Sequence, residues 1–221
     1  MSELDGIYHS IHMKLIFLLL VTSLQAQPIK HPADFHVPFW KSKPQVQKRI
    51  LKENLIVVSA QTKKIQDKPE LNHMKVVAGG IVKAPFEFVF TTVTDYPKLT
   101  QVSAHFKEAR YNKESQTLYL HLEALGYHER MTLKLNEIDD LPSDKKIKQI
   151  HWESISGRFK GMKGVFQVEE IERHKTEISM TADYRSEKLP LPKILMGLGL
   201  EIVGRQVAVK MREYILDQYK K

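Results

Sequence analysis

The sequence predicts an α+β fold in which a curved antiparallel sheet of about seven strands wraps around a long C-terminal helix. Three observations support this prediction. Between residues 118 and 184, successive runs alternate apolar and polar side chains with a period of two. Helical patterns separate these runs from earlier strand patterns. Residues 193–219 contain no proline and close the chain in a helical pattern.

The N-terminal strands are predicted at residues 55–58 and 74–82, where β-branched and apolar residues dominate. The polar stretch 61–72, which contains Pro69, is predicted to be the loop between them. Gly79 and Gly80 lie inside the second strand and predict a β-bulge.

Each later strand has one apolar face, and its other face is rich in Lys, Glu, Arg, His and Thr. This pattern predicts an antiparallel sheet with one face buried and the other solvated. Turns are predicted at Gly126, 141–144, 157–161 and 173–175. The inward-facing sets are Leu118, Leu120 and Leu122; Tyr127, Glu129, Met131, Leu133 and Leu135; Ile150, Trp152 and Ser154; Gly164, Phe166 and Val168; and Ile178, Met180, Ala182 and Tyr184.

Two short helices are predicted between the early and late strands. Ala84 and Pro85 open the first, since proline suits a first helical position. Asp95 is a suitable cap for the second, which is expected over residues 96–101. The apolar residues of the first helix fall at helical spacing and are Phe86, Val89, Phe90 and Val93.

The C-terminal helix is predicted to turn one apolar stripe toward the sheet. Gly197, Gly199 and Gly204 are costly inside a helix and predict that something approaches closely there. The stripe consists of Ile194, Leu195, Leu198, Ile202, Gln206 and Val209, widened by Val203, Val207, Met211 and Tyr214.

The N-terminus carries a polar leader, 1–12, before Met13, Lys14 and the short apolar run 15–21. This order of charged, apolar and small residues is typical of a secretory signal peptide, and the run is shorter than the roughly 20 apolar residues that span a bilayer. We therefore expect 1–12 to be a mis-assigned start and 13–26 to be a signal peptide cleaved after Ala26. The alternative is an amphipathic or buried N-terminal helix.

Residues 27–53 are predicted to form a proline-rich N-terminal arm that is extended over 27–48, and 54–221 a single domain. Phe35, Phe39 and Trp40 are expected to pack the arm onto the domain surface. The chain carries a net charge of +8, and its scattered Lys residues indicate a solvated basic surface, with a patch for anionic membrane or envelope surfaces as the alternative. It has no cysteine, which excludes disulfides, cysteine-bound metals and a cysteine nucleophile.

No catalytic or metal-binding motif emerges from the spacing of polar residues. Glu129 shares an apolar face and is a weak candidate for an acid or base. His121, His128 and His151 lie on polar faces, without the spacing of a metal site. The glycines of 157–164 lack the phosphate-binding spacing and predict a hairpin. No cofactor or metal is expected.

The segments 77–109 and 161–184, with the closing helix after Leu189, resemble the START-like (SRPBCC) superfamily, and especially its polyketide cyclase and coenzyme Q-binding branch. The resemblance covers roughly residues 54–219. It implies a helix-grip fold with a hydrophobic pocket between the sheet and the C-terminal helix. The candidate ligand-binding residues are Tyr127, Met131, Trp152, Phe166, Met180, Tyr184, Leu195, Leu198 and Ile202, with plain core packing as the alternative.

The sequence thus predicts an exported, periplasmic or secreted binding protein for a hydrophobic or lipid-like molecule. The partners expected are that molecule and an anionic membrane or envelope surface, with no nucleic acid and a monomeric state. One alternative is a cyclase, aromatase or hydrolase that uses the same cavity, with Glu129, Tyr127 or Tyr184 as acid or base. Another is a basic envelope-surface module.

Overall fold

The computed structural model describes residues 38–138 and 146–221, which form an α+β fold with an antiparallel sheet and a long C-terminal helix. The fold class predicted from the sequence is confirmed. The helices are α1 (Pro44–Glu53), α2 (Phe86–Thr94), α3 (Leu99–Val102) and α4 (Leu200–Tyr219), with short 3-10 turns at Phe39–Ser42 and Tyr96–Lys98. The strands are β1 (Val57–Ile65), β2 (Lys68–Val82), β3 (Phe106–Asn112), β4 (Thr117–Ala124), β5 (Tyr127–Ile138), β6 (Ile147–Ser154), β7 (Lys163–Glu172) and β8 (Lys175–Ser186).

All eight described strands belong to one sheet in the order β1-β2-β8-β7-β6-β5-β4-β3. Every neighbouring pair is antiparallel. The first two strands therefore join the last one, and the chain crosses from β2 to the far edge through α2 and α3. This crossing places the helices against one face of the sheet, which we call the concave face.

Strand β3 is the strand that the sequence pattern did not predict. Its sequence is largely polar, and Ala109 is its one buried residue. A strand at the edge of a sheet needs little apolar surface, so periodicity gives almost no signal for it.

The polar stretch 61–72 was predicted to be a loop, and this prediction is wrong. Strands β1 and β2 continue through it and turn between Ile65 and Lys68. The register shifts between Lys64 and Ile65, and Pro69 lies in the shifted part, where a missing N–H donor is tolerated. Pairing is continuous through Gly79 and Gly80, so the bulge predicted there is absent.

The core lies between the concave face and the helices. Helix α2 begins after Pro85, and its four predicted apolar residues are buried, as the helical spacing indicated. Asp95 precedes the second helical segment but caps it through its carbonyl oxygen, while its carboxylate pairs with Lys98 at 2.7 Å. The predicted turns at Gly126, 157–161 and 173–175 connect strands, and 141–144 lies outside the described residues.

The predicted extended part of the arm includes residues 44–48, but these residues begin helix α1. Pro44 stands in the first turn, where proline needs no N–H partner, and Asn54 ends the helix with a left-handed conformation. The preceding Trp40 is buried on the convex face of the sheet, as part of a small cluster with Ile50 and Ile81. Its indole ring occupies the space where a side chain of Gly79 would lie.

The central strands are covered on both faces, and this corrects the prediction of a solvated polar face. Below the N-terminal segment, polar side chains on the convex face of β6, β7 and β8 are buried, and several of them hydrogen-bond to one another. Gln149 Nε2 donates to Gln167 Oε1 at 2.6 Å, and Gln167 Nε2 donates to Glu169 Oε2 at 3.2 Å. The buried residues of this convex polar network are Gln149, His151, Gln167, Glu169, Glu177 and Ser179.

The N-terminal segment closes the convex polar network from above. Lys41 forms an ion pair with Glu169 and lies 3.9 Å from Glu177. Trp40 Nε1 donates to the carboxylate of Glu177 at 3.3 Å. A buried carboxylate is costly without hydrogen-bond donors or a cation. The burial of the convex polar network therefore depends on the N-terminal segment that supplies Trp40 and Lys41.

The contact between Trp40 and Gly79 gives a direct test of this packing. A Cβ on Gly79 would lie 1.9 Å from the Trp40 ring, so Gly79→Ala must displace the indole. We expect Gly79→Ala to lower the free energy of unfolding by about 2 kcal/mol and Trp40→Ala by about 3–5 kcal/mol, measured by urea denaturation. In the Trp40→Ala background, Gly79→Ala should cost almost nothing.

Gly197→Ala is the matched control, because the nearest atom to its added Cβ is the Ala60 carbonyl oxygen at 3.9 Å. This variant should be neutral or stabilising. Additive losses in the double variant of Gly79 and Trp40 would contradict the packing described.

Candidate functional site

An apolar cavity of about 300 Å³ lies between helix α4 and the strands on its β1 side, and we call it the helix–sheet cavity. Strand β1 and the preceding residue, strands β2 and β8, one residue each from β3 and β7, and helix α4 form its wall. The lining residues are Ile56, Val58, Val76, Ala78, Gly79, Gly80, Ile81, Val82, Phe106, Phe166, Ile178, Ser179, Met180, Gly204, Val207, Ala208, Met211 and Arg212.

Helix α4 is held beside edge strand β1 at both ends of the cavity. Glu201 accepts a hydrogen bond from the Ala60 backbone N–H at 2.8 Å. Arg212 Nη1 donates to the Asn54 carbonyl oxygen at 2.7 Å. The first contact uses a backbone N–H of the edge strand, where a partner from another strand is missing, and the second uses the residue that ends helix α1.

Glycine and small side chains keep the helix close without filling the cavity. A Cβ on Gly204 would lie 3.1 Å from Val58 Cγ1, so the helix backbone nearly touches the strand there. The glycine pattern had predicted such a close approach. Beyond this point the helix presents Val207 and Ala208 to the cavity. Their short side chains leave open space.

The lining is almost entirely hydrocarbon. Among the described lining residues, Ser179 and Arg212 are the polar ones, and the Arg212 guanidinium is engaged with backbone. The lining supplies no imidazole, carboxyl, amine or phenol group that could act as a general acid or base. A wall of this kind suits an apolar ligand held by shape and burial.

Of the nine predicted ligand-binding residues, Phe166 and Met180 line the helix–sheet cavity. Met131, Trp152 and Tyr184 are buried in the main core instead. The Trp152 ring lies over Gly164, and Tyr184 packs edge-on against Phe159. These three residues stabilise the sheet rather than line the cavity.

The remaining four predicted residues lie away from the lining. Leu195 is half-buried in a π-helical turn at Leu195–Gly199 that precedes α4. Tyr127, Leu198 and Ile202 are exposed. Because Gly204 is the residue that meets β1, Ile202 stands about 200° away around the helix and points outward.

The sequence pattern missed most of the actual lining. Strand residues such as Val58, Val76 and Ala78 are too small to stand out as cavity-forming. On the helix, the signal available was the small-residue spacing of Gly204 and Ala208, four residues apart, followed by Met211. This spacing marks the face that approaches another element.

The other flank of α4 borders a surface groove of about 580 Å³ with the segment that joins α3 to β3. His105 Nε2 and Gln206 Oε1 lie 3.0 Å apart across it, and Tyr214 donates to Gln101 at 3.4 Å. Arg205 and Lys210 give the groove a basic rim. The outer half of the predicted apolar stripe thus ends in a polar groove rather than in the cavity.

Glu129 anchors a loop and is not part of the cavity lining. Its Oε1 accepts the Arg158 backbone N–H at 2.7 Å, and its Oε2 lies 3.6 Å from Arg158 Nε. Burial raises the pKa of the Glu129 carboxyl, while the two contacts with Arg158 act in the opposite direction. The arrangement closes the 157–161 turn against β5.

Residues 82–212 match the family model for polyketide cyclase / dehydrase and lipid transport. This match covers more than half of the 221 residues. The chain therefore belongs to this family, within the START-like superfamily, as the sequence resemblance had indicated. No curated protein sequence matches the chain.

Solved structures share the fold at low sequence identity. A START superfamily protein from Mycobacterium smegmatis has a TM-score of 0.53 and 17% identity, covering 65% of this chain and 98% of its own. The Zhui aromatase/cyclase from Streptomyces sp. R1128 has a TM-score of 0.50 and 16% identity, covering 67% and 94%. A STAR-related lipid transfer protein from Xanthomonas axonopodis has a TM-score of 0.53 and 10% identity, covering 71% and 98%.

The raised pKa of Glu129 gives a pH-dependent prediction. Because the folded protein holds this proton more tightly than the unfolded chain does, the stabilising contribution is present at low pH and lost as pH rises through the folded-state pKa. We expect the unfolding free energy of the wild type, minus that of Glu129→Gln, to decrease between about pH 4 and pH 7. Urea denaturation across this range measures the difference, and a flat or rising difference would contradict the assignment.

Proposed function

We propose that the chain is an exported, non-enzymatic carrier or sensor of a hydrophobic, lipid-like molecule held in the helix–sheet cavity. The observation that carries this proposal is an apolar cavity of about 300 Å³ whose described lining supplies no acid or base. This volume is at the lower end for ligand pockets, which run from about 300 to 1,000 Å³. It suits one apolar chain or one small ring system.

Family membership supports the same proposal. The matched family includes lipid transport as well as cyclase and dehydrase chemistry. A cyclase needs polar groups near its substrate to move protons. Glu129, Tyr127 and Tyr184 lie outside the lining, so the described cavity favours binding over turnover.

The N-terminal sequence supports export. Met13, Lys14, the apolar run 15–21 and Ala26 follow the order of a signal peptide, and the chain has no cysteine to protect from oxidation. Within residues 38–138 and 146–221, no helix has the length and apolarity to cross a bilayer. We infer a monomer in the periplasm or outside the cell, where its positive charge favours contact with anionic envelope surfaces.

Blocking the cavity tests the binding proposal. Ala208→Phe places a ring in the helix–sheet cavity, whereas Val209→Phe places the same ring one residue further, beside the outer groove. We expect Ala208→Phe to weaken uptake of cis-parinaric acid, a fluorescent fatty acid, by about tenfold or more, and Val209→Phe to leave it unchanged. Equal uptake by both variants would show that the cavity is not the binding site.

Native mass spectrometry of the protein taken from its own host tests export and cargo together. A mature mass that begins at Gln27 and a bound apolar molecule recovered by organic extraction are the expected results. A mass that retains residues 13–26 would contradict export. It would not affect the cavity proposal, which the uptake of cis-parinaric acid tests separately.

A further inference from the structure

Five large apolar side chains are exposed, or nearly so, at the end of the molecule where helix α4 begins. Ile194 is 71% exposed, Leu198 59% and Ile202 44%, and they follow one another at intervals of four residues. Leu125 is 52% exposed and Tyr127 37%, at the tip of the β4–β5 hairpin. We call these five residues the apolar ridge.

The two parts of the ridge are in contact. A Cβ on Gly199 would lie 3.1 Å from Leu125 Cδ1, so the hairpin tip rests against the π-helical turn. Gly199 has no side chain, so Leu125 can lie against the turn that carries Leu198. Two separate elements thus bring exposed apolar side chains to the same end of the molecule.

Leu125 is held in a conformation that leucine rarely adopts. Ala124 pairs with Tyr127, so Leu125 and Gly126 form a two-residue turn. Their φ angles are 53° and 77°, and both positions of such a turn favour asparagine, aspartate or glycine. A leucine that is both strained and exposed destabilises the fold. Its presence is therefore better explained by contact with a partner.

Exposed cations flank the helical part of the ridge. Lys193 precedes Ile194, and Arg205 follows Ile202 by one turn. Three acids nearby are engaged, because Glu123 pairs with Lys107 at 3.3 Å, Glu129 contacts Arg158, and Glu201 accepts a hydrogen bond from the Ala60 N–H. The rim of the ridge is therefore complementary to a negatively charged surface.

We propose that the apolar ridge docks this protein onto an anionic phospholipid bilayer, with Leu125, Ile194 and Leu198 entering the acyl boundary. A projecting ridge with cations at its base suits a soft, anionic interface, where apolar burial and charge attraction add. Ile202 lies two residues before Gly204, so docking brings the helix that lines the cavity to the membrane surface.

This inference rests on the proposed function, because an apolar cargo must leave one hydrophobic environment for another. A cavity wall that lies on the bilayer shortens the distance over which the cargo meets water. The ridge therefore supplies the contact step, and the helix–sheet cavity supplies the binding step.

Two substitutions separate membrane docking from folding. Leu125→Asn places the favoured residue in the turn and should raise the melting temperature. Ile194→Ser removes the most exposed apolar side chain. In co-sedimentation with vesicles of equal phosphatidylcholine and phosphatidylglycerol, we expect the double variant to bind about tenfold or more weakly than the wild type. Ile155→Ser, which changes an isoleucine 43% exposed on a different loop, should bind like the wild type.

Insertion itself is measured with a tryptophan at the ridge. Trp40 and Trp152 are buried, so lipids brominated in their acyl chains should not quench the wild-type emission. The emission of Ile194→Trp should shift to shorter wavelength and be quenched by these lipids. Raising the salt concentration should weaken, without abolishing, the binding of the wild type.

Three results would overturn the proposal. The first is that the wild-type protein does not bind the anionic vesicles, and the second is that the double variant binds them as well as the wild type. The third is that sedimentation velocity shows a dimer of the wild type and that the double variant is monomeric. Uptake of cis-parinaric acid without vesicles is measured in parallel. Loss of uptake in Ala208→Phe with intact vesicle binding would separate the cavity from the ridge.

Discussion

The distance between helix α4 and the edge strand β1 with its neighbour β2 is the constraint on which the site depends. Gly204 lets the helix backbone approach Val58, and Arg212 binds the Asn54 carbonyl further along the helix. Between these points the helix carries Val207 and Ala208, which are too small to fill the space against the strands. Longer side chains there would complete an ordinary core, and a bulkier residue at 204 would force the helix away from the sheet.

The convex face explains why the sheet can keep its form beside an open cavity. Trp40 fills the hollow above Gly79, and Lys41 neutralises charge at Glu169 and Glu177. Buried hydrogen-bonded groups tolerate few alternative arrangements, since each displaced partner leaves a costly polar atom. The packing on the convex face therefore fixes strands β2, β7 and β8. We expect any movement that admits a ligand to occur in helix α4 and the elements beside it.

Local patterns were enough to predict most of this fold, and they failed where packing between distant segments decides the structure. The spacing of Phe86, Val89 and Phe90 identified α2, and period-two runs identified the central strands. His151 and Gln149 look solvated in the sequence, yet both are buried on the convex face, where they hydrogen-bond to each other. Residues that line a cavity are harder still to predict, since an unfilled space does not change the hydrophobic periodicity of the residues around it.

The C-terminal helix shows that an apolar stripe does not reveal which way it faces. Around the contact with β1, the large residues Leu198 and Ile202 face outward and the small residues Gly204 and Ala208 face the sheet, whereas Met196 and Ile215 on either side are buried. A helix in an ordinary core shows the opposite order, with its bulk inside. This inverted distribution follows if the inner face must leave room for a ligand and the outer face must meet an apolar surface. The position of Gly204 was the decisive signal, because a glycine that allows close approach fixes the inner face whatever the size of its neighbours.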